Sequence, residues 1–150
     1  MPVWCKWHLA REAWGQFGGA MLKVILMVLL AVVSESTAAA WVEVDSDEST
    51  IFYIDPTTIQ RDGNLVKMWE LLEYKAARVR DKVMYVSSKT QSEYDCKDEQ
   101  LRTLSLSLHP GNMAGGESVY GTKVPGQWRP VPPGGGIEVL WKIACGKGHC

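Results

Sequence analysis

The stretch LRTLSLSLH, residues 101–109, sets Leu104, Leu106 and Leu108 against Thr103, Ser105 and Ser107. Successive side chains of a strand point to opposite faces, so this spacing puts the leucines on one face and the hydroxyls on the other. A helix would scatter both sets around its circumference. The pattern therefore predicts a strand of an antiparallel sheet, with one face on a core and the other in water.

The same period recurs upstream. WVEVDSDESTIFYIDPTTIQ holds two short alternating runs, Trp41–Val44 and Ile51–Ile54, separated by polar residues 45–49, which reads as a hairpin. Asp62, Gly63 and Asn64 form a turn signal, and a third strand is expected from Leu65. In LVKMWELLEYKAA, Val66, Met68, Glu70, Leu72 and Tyr74 alternate with Lys67, Trp69, Leu71, Glu73 and Lys75, as in a strand partly covered on both faces. KVMYVSSKTQSEYDC is the fourth strand and LRTLSLSLH the fifth. Residues 110–136 hold more than half of the chain's 14 glycines, flanked by prolines, and are expected to form a long loop or a flap with at most a short strand near Ser118–Tyr120. Ile137, Leu140, Trp141 and Ala144 then fall at i, i+3, i+4 and i+7, one side of a terminal helix. A helix that short is held by tertiary packing, with Trp141 its natural anchor. The fold class is α+β: an antiparallel sheet of about five to six strands with a C-terminal helix packed on it.

The first forty residues stand apart from this domain. MLKVILMVLLAVVSESTAAAW carries Lys23, an apolar core from Val24 to Val33 and the small residues Ala38, Ala39 and Ala40, the three parts of a cleavable secretory signal. Residues 1–40 are thus read as an extension plus signal peptide, with Met21 the better start, and residues 41–150 as the mature domain. The apolar run is shorter than the roughly 20 residues a permanent membrane anchor needs. No cysteine stands just after the apolar core, Cys5 preceding it, so lipidation is not expected and the location is periplasmic or secreted.

Taking Lys6, Arg11 and Lys23 from the 16 basic residues, and Glu12 and Glu35 from the 17 acidic ones, leaves 13 against 15. Such near-neutrality argues against nucleic acid as a partner. Three cysteines remain, Cys96, Cys145 and Cys150, in a chain bound for an oxidising compartment. Three pairings are open. Joining Cys96 to Cys145 closes a loop of about fifty residues, worth roughly 4 kcal/mol by loop entropy, and Cys145 to Cys150 closes a small ring worth roughly 2. The first is favoured, which leaves Cys150 either free for an intermolecular bridge, and so a homodimer, or exposed as a thiol.

Chemistry-bearing residues are few. His109 could be combined with Ser87 or Ser88 and Asp55 as a triad, yet no nucleophile-elbow pattern surrounds either serine. Cys145, His149 and Cys150, with His109, could be drawn as a zinc site, though a frayed tail explains them better, and Asp45, Asp47 and Glu48 as a calcium site, which a solvated turn explains equally well. GNMAGG lacks the Gly-Lys-Ser/Thr of a phosphate loop. No catalytic residue, cofactor or metal is assigned. Trp69 and Trp141 fall at apolar-periodic positions and are expected in the core. Trp128, beside Arg129 in PGQWRPVPP, is expected to be exposed, and with Tyr120 these two are the candidate partner-binding residues.

In order along the chain, IFYIDPTTI, GNLVKMWELLEY, SEYDC, RTLSLSL, WRPVPPGG and EVLWKIAC resemble the surface-adhesin protein E family of Gram-negative bacteria. The resemblance covers residues 41–145, and the pairing of YDC with the late LWKxxC is its most specific part. It implies the sheet-and-helix fold and a Cys96–Cys145 bridge. A well-studied member is a surface lipoprotein that binds host extracellular-matrix proteins and self-associates; this chain departs from it in lacking a lipidation cysteine. The resemblance implies a non-enzymatic binding module for a host-matrix or envelope protein. The rival readings are an envelope enzyme or enzyme inhibitor using His109 and the Gly/Pro loop, and a self-associating structural protein.

Overall fold

The computed structural model describes residues 40–148, so the expected leader, His149 and Cys150 lie outside the described residues. Seven strands form one antiparallel sheet: β1 (Val42–Ser46), β2 (Thr50–Asp62), β3 (Leu65–Arg80), β4 (Val83–Asp95), β5 (Gln100–His109), β6 (Tyr120–Thr122) and β7 (Arg129–Pro130). Strands β1 to β6 lie in chain order, and β7 pairs with β5. One α-helix among the described residues, α1 (Gly136–Ala144), follows. It lays Leu140, Trp141 and Ala144 against Phe52, Ile54, Val66, Met68, Tyr94 and Leu101, which are all buried.

Two strands run further than their alternation predicts. β2 continues through Pro56 to Asp62 because the pairing with β3 slips between Asp55 and Gln60. A proline is tolerated in a strand at such a bulge. Asp55 fixes the bulge by accepting hydrogen bonds from the Thr57 amide at 3.0 Å and its hydroxyl at 2.6 Å. β3 likewise runs on to Arg80 after its pairing with β4 slips between Glu73 and Arg78.

The leucine pattern of β5 carries its own correction. Leu101 opposes Tyr94 and Leu106 opposes Thr90, although the two leucines are five positions apart, an odd offset that would put them on opposite faces of a regular strand. The ladder absorbs the mismatch between Gln91 and Ser92, where Ser105 and Thr103 are the partners and Leu104 is the extra residue. One bulge thus returns Leu101, Leu106 and Leu108 to a single face.

The Gly/Pro stretch is not a free flap. It runs along the outer edge of β5 as a strap. Leu108 pairs with Tyr120 and Leu101 with Arg129, and between them the Gly126 amide donates to the Thr103 carbonyl at 2.8 Å. Val131 closes the far end through the Glu99 carbonyl at 2.9 Å. An unpaired edge invites pairing with other chains, and the strap covers this one.

The strap leads into α1 through Gly134–Gly136. Gly136 is required there, since a Cβ would fall inside the Phe52 ring. Glu138 receives the Gly134 amide at 2.6 Å and pairs with Lys142 at 2.6 Å, and these contacts hold its carboxyl below the usual range. Cys145 closes the helix through a disulfide to Cys96, with the two Cα atoms 5.5 Å apart. The Arg61 guanidinium donates to the Ala144 carbonyl at 2.6 Å and occupies one of the helix's last acceptors.

Candidate functional site

β3 and β4 outrun their neighbours. β2 reaches only to Tyr74 of β3, and β5 only to Ser87 of β4. Beyond those points residues 75–86 form a two-stranded arm in which Arg78 faces Tyr85, Val79 faces Met84 and Arg80 faces Val83. Its tip is the two-residue turn Asp81-Lys82, with φ of 48° and 69°. Positive φ at both positions matches the right-handed twist of a tight hairpin, although neither residue is glycine.

The arm exposes apolar surface. Val79 is 64% exposed, Met84 61% and Val83 37%. Around them Lys75, Arg78, Arg80 and Lys82 are opposed on the arm by Asp81 alone. The base is braced by cations over rings: Arg78 lies 3.9 Å from the Tyr74 ring centre and Arg80 4.3 Å from that of Tyr120. Tyr74 also packs edge-on to Tyr85 at 5.6 Å. Tyr120 therefore belongs to the foot of the arm.

Trp128 and Arg129 do not share that place. Their strand opposes Leu101 and Tyr120 opposes Leu108, a separation of roughly 23 Å along β5. Trp128 is exposed and stacks on Arg102 at 4.6 Å, while Arg102 pairs with the buried Glu93 at 2.5 Å. Lys67 approaches the same carboxylate at 3.6 Å.

Trp141 is buried against the sheet as its spacing predicts, and Trp69 is not. Trp69 pairs with Asp55 and Gln91, on the sheet face opposite Met68 and Glu70. There it is half-buried, with the Lys89 ammonium 4.8 Å from its ring centre and 5.9 Å from that of Trp41. A strand covered on both sides would hide both registers; this one hides mainly the register that faces α1.

The triad drawn from the sequence is not assembled. Ser87 and His109 are direct cross-strand partners, but the Ser87 hydroxyl donates to the Gly111 carbonyl at 2.6 Å and accepts the Ala114 amide at 3.0 Å. Its role is to fasten the 3-10 turn Asn112–Ala114, which is what GNMAGG builds. Ser88 bonds Tyr74 at 2.9 Å, and Asp55 is committed to its bulge. His109 sits between the Ser107 hydroxyl at 2.9 Å and the Gly116 carbonyl at 3.2 Å, with no carboxylate among these contacts. The drawn zinc site loses Cys145 to the disulfide. Asp47 receives the Ser49 and Thr50 amides at 2.7 and 2.8 Å, which depress its carboxyl and make it a turn former.

One buried carboxyl was not singled out by sequence patterning. Glu70 is 2% exposed and accepts hydrogen bonds from the Tyr94 hydroxyl and, at 3.0 Å, the Ser92 hydroxyl. Loss of hydration pushes it up to about 7, against the pull of those two bonds and the charge of Arg129. Burial likewise drives the Tyr94 phenol well above its ordinary range. Period-two patterning places Glu70 on the core face, and only its partners show how a carboxyl survives there.

Comparison with known proteins agrees with this architecture. No curated protein sequence matches the chain. Among solved structures, crystal form II of Haemophilus influenzae protein E matches at 14% identity and a TM-score of 0.52, covering 71% of this chain and 97% of that one. Protein E from non-typeable Haemophilus influenzae matches at 14% identity and a TM-score of 0.53, covering 78% and 82%. At that identity the likeness speaks for the fold. The family model for surface-adhesin protein E matches residues 41–146, the whole of the sheet, the strap and the helix. This chain belongs to the surface-adhesin protein E family.

Proposed function

We propose that the chain is an exported, non-enzymatic adhesin module that docks a protein partner, a host extracellular-matrix or envelope protein, through the β3–β4 arm. The arm carries this reading. Exposed Val79 and Met84 are cross-strand partners that form an apolar patch on one face of the two-stranded arm, and exposed Val83 lies on the other face beside Arg80, with Lys75, Arg78 and Lys82 completing four cations on the arm. Aliphatic and methionine surface at the tip of a projecting element is unusual unless something covers it, and the cations select a partner surface rich in carboxylates. Tyr120 at the foot, beneath Arg80, extends the contact on the Val83 face. Trp128 and Arg129 form a second, separate contact at the opposite end of the strap. The leader exports the chain, with cleavage before Trp41, to the periplasm or cell exterior. Among the described residues no helix is long and apolar enough to cross a membrane.

The test uses the protein and a Val79→Ser, Met84→Ser double variant on immobilised extracellular-matrix and envelope fractions. Binding by the parent that falls at least about tenfold in the variant supports the arm as the docking element. Equal binding by both removes it, and loss on Trp128→Ala alone transfers the role to the strap.

A further inference from the structure

The sheet face turned away from α1 carries a second feature that docking through the arm does not use. Its residues across the strands are Trp41 beside β1, Trp69 on β3, Lys89 and Gln91 on β4, and Ser105 and Ser107 on β5, placed by the pairings Trp69 with Gln91, Gln91 with Ser105, and Lys89 with Ser107. Between them and β6 lies an open groove of about 350 Å³, lined by Trp69, Lys89, Ser105, Ser107, Thr122 and Lys123 among others. Strands lie roughly 4.8 Å apart, so the row from Trp41 to Ser105 runs across the strands for roughly 19 Å.

We infer that this groove binds an acidic glycan, a chain of sugar residues bearing carboxylate or sulfate groups. The half-buried Trp69 indole lines the groove beside the Lys89 ammonium and offers apolar surface suited to the C–H face of a pyranose ring. The hydroxyls of Ser105 and Ser107 offer donors and acceptors for ring hydroxyls.

Charge decides the glycan class. Lys89 and Lys123 join none of the ion pairs among the described residues. Lys89 is instead held over two indoles, a position that fixes its ammonium without neutralising it. Of the carboxylates on this face, Glu93 is paired with Lys67 and Arg102, while Asp55, opposite Trp69 on β2, and Glu73 accept hydrogen bonds from the neutral Thr57 and Asn112. Glu43 lies exposed on the outer strand β1. None of these four lines the groove, so its own charge is positive and complementary to an anionic ligand.

The probe is a heparin-derived hexasaccharide, which is sulfated and uronate-bearing, titrated into the protein by calorimetry and tryptophan fluorescence. Binding with quenched fluorescence is expected, weakening as salt is raised. Trp69→Ala and the Lys89→Gln, Lys123→Gln double variant should each lose at least about tenfold in affinity, and Lys97→Gln, an exposed lysine on the β4–β5 turn, should lose almost none. The lysine double variant changes only groups at the surface, so it carries the test if Trp69→Ala fails to fold. Neutral chitohexaose should bind at least about tenfold more weakly. The inference is overturned if the hexasaccharide does not bind, if Lys97→Gln costs as much as the groove double variant, or if an oligothymidylate binds the groove equally well. The Val79→Ser, Met84→Ser variant should bind the hexasaccharide unchanged, which separates this site from the arm.

Discussion

The two ends of the long β3–β4 ladder are built to opposite specifications. At one end Val66, Met68 and Tyr94 lie under Leu140, Trp141 and Ala144, and Cys96 is bonded to Cys145. At the other, Val79 and Met84 stand opposite each other with nothing over them. The same two strands thus supply a sealed core and a displayed patch. What separates them is coverage by another layer, since residue type is similar at both ends. Apolar residues at the helix end contribute to stability, whereas those on the arm contribute almost none and are available for contact.

The sharpest way to break this contrast is at the helix end. Replacing both cysteines, Cys96→Ser with Cys145→Ser, reopens a loop of 49 residues' separation and should cost about 4 kcal/mol in urea unfolding. Reduction of the parent should cost a similar amount. A loss below about 1 kcal/mol would mean that packing alone holds α1 on the sheet.

Glu70 should come next, because it sits where the covered face begins to give way to the arm. Its carboxyl titrates near 7 when folded, against 4.5 for the free group, so the folded state holds the proton more tightly. Stability contributed by that proton is fully present below about pH 4.5 and is lost as pH rises to about 7, amounting to about 3 kcal/mol. Glu70→Gln should remove most of the slope between pH 5 and 8 and be the more stable protein at pH 8. A parent whose urea midpoint is flat across that range would show that Glu70 is hydrated in solution.

Much of this architecture is legible in the residues, and the exceptions have physical causes. Alternation finds β3, β4 and β5, and the Ile137, Leu140, Trp141, Ala144 spacing finds α1, because the core-facing residues recur at the period of each element, even though β3 and β4 also bury Leu71, Ser87 and Glu93 on the other face. The continuation of β2 past Pro56 is hidden, since a bulge suspends the period that identifies a strand. The strap is hidden too: its pairing with β5 is made by backbone groups of residues such as Gly126, which carry no side-chain signal. Trp69 is misread because period two assigns a residue to a face but does not reveal which face is roofed. The arm escapes notice for a related reason. Val79 and Met84 share one face of the arm and Val83 takes the other, and the shortness of β2 and β5 leaves all three bare.

A smaller effect is expected at the helix entrance. Gly136→Ala drives a methyl into the Phe52 ring and should cost about 1–3 kcal/mol, the range for overpacking. The same change at Gly135, whose Cβ would meet open space, is the matched control. If both variants melt together, α1 shifts freely on the sheet and the helix end is less rigid than its packing implies.

The smallest effect on stability, and the most informative one for function, belongs to the arm. Val79→Ser with Met84→Ser removes apolar area that is already in water, so the folded state loses little relative to the unfolded chain and the change should stay within about 0.5 kcal/mol. A loss of 2 kcal/mol or more, comparable to a core truncation, would mean that the arm folds back onto covered surface and the contrast between the two ends is wrong. Glycine offers a way to sharpen the same point. Lys82 holds φ of 69°, a conformation costly for a residue with a Cβ, so Lys82→Gly should stabilise the tip by up to about 1 kcal/mol while removing one cation. If partner binding falls although the arm has become more stable, the loss must come from the missing charge. If binding is kept, recognition rests on Val79 and Met84, and the cations contribute solubility around an exposed apolar patch.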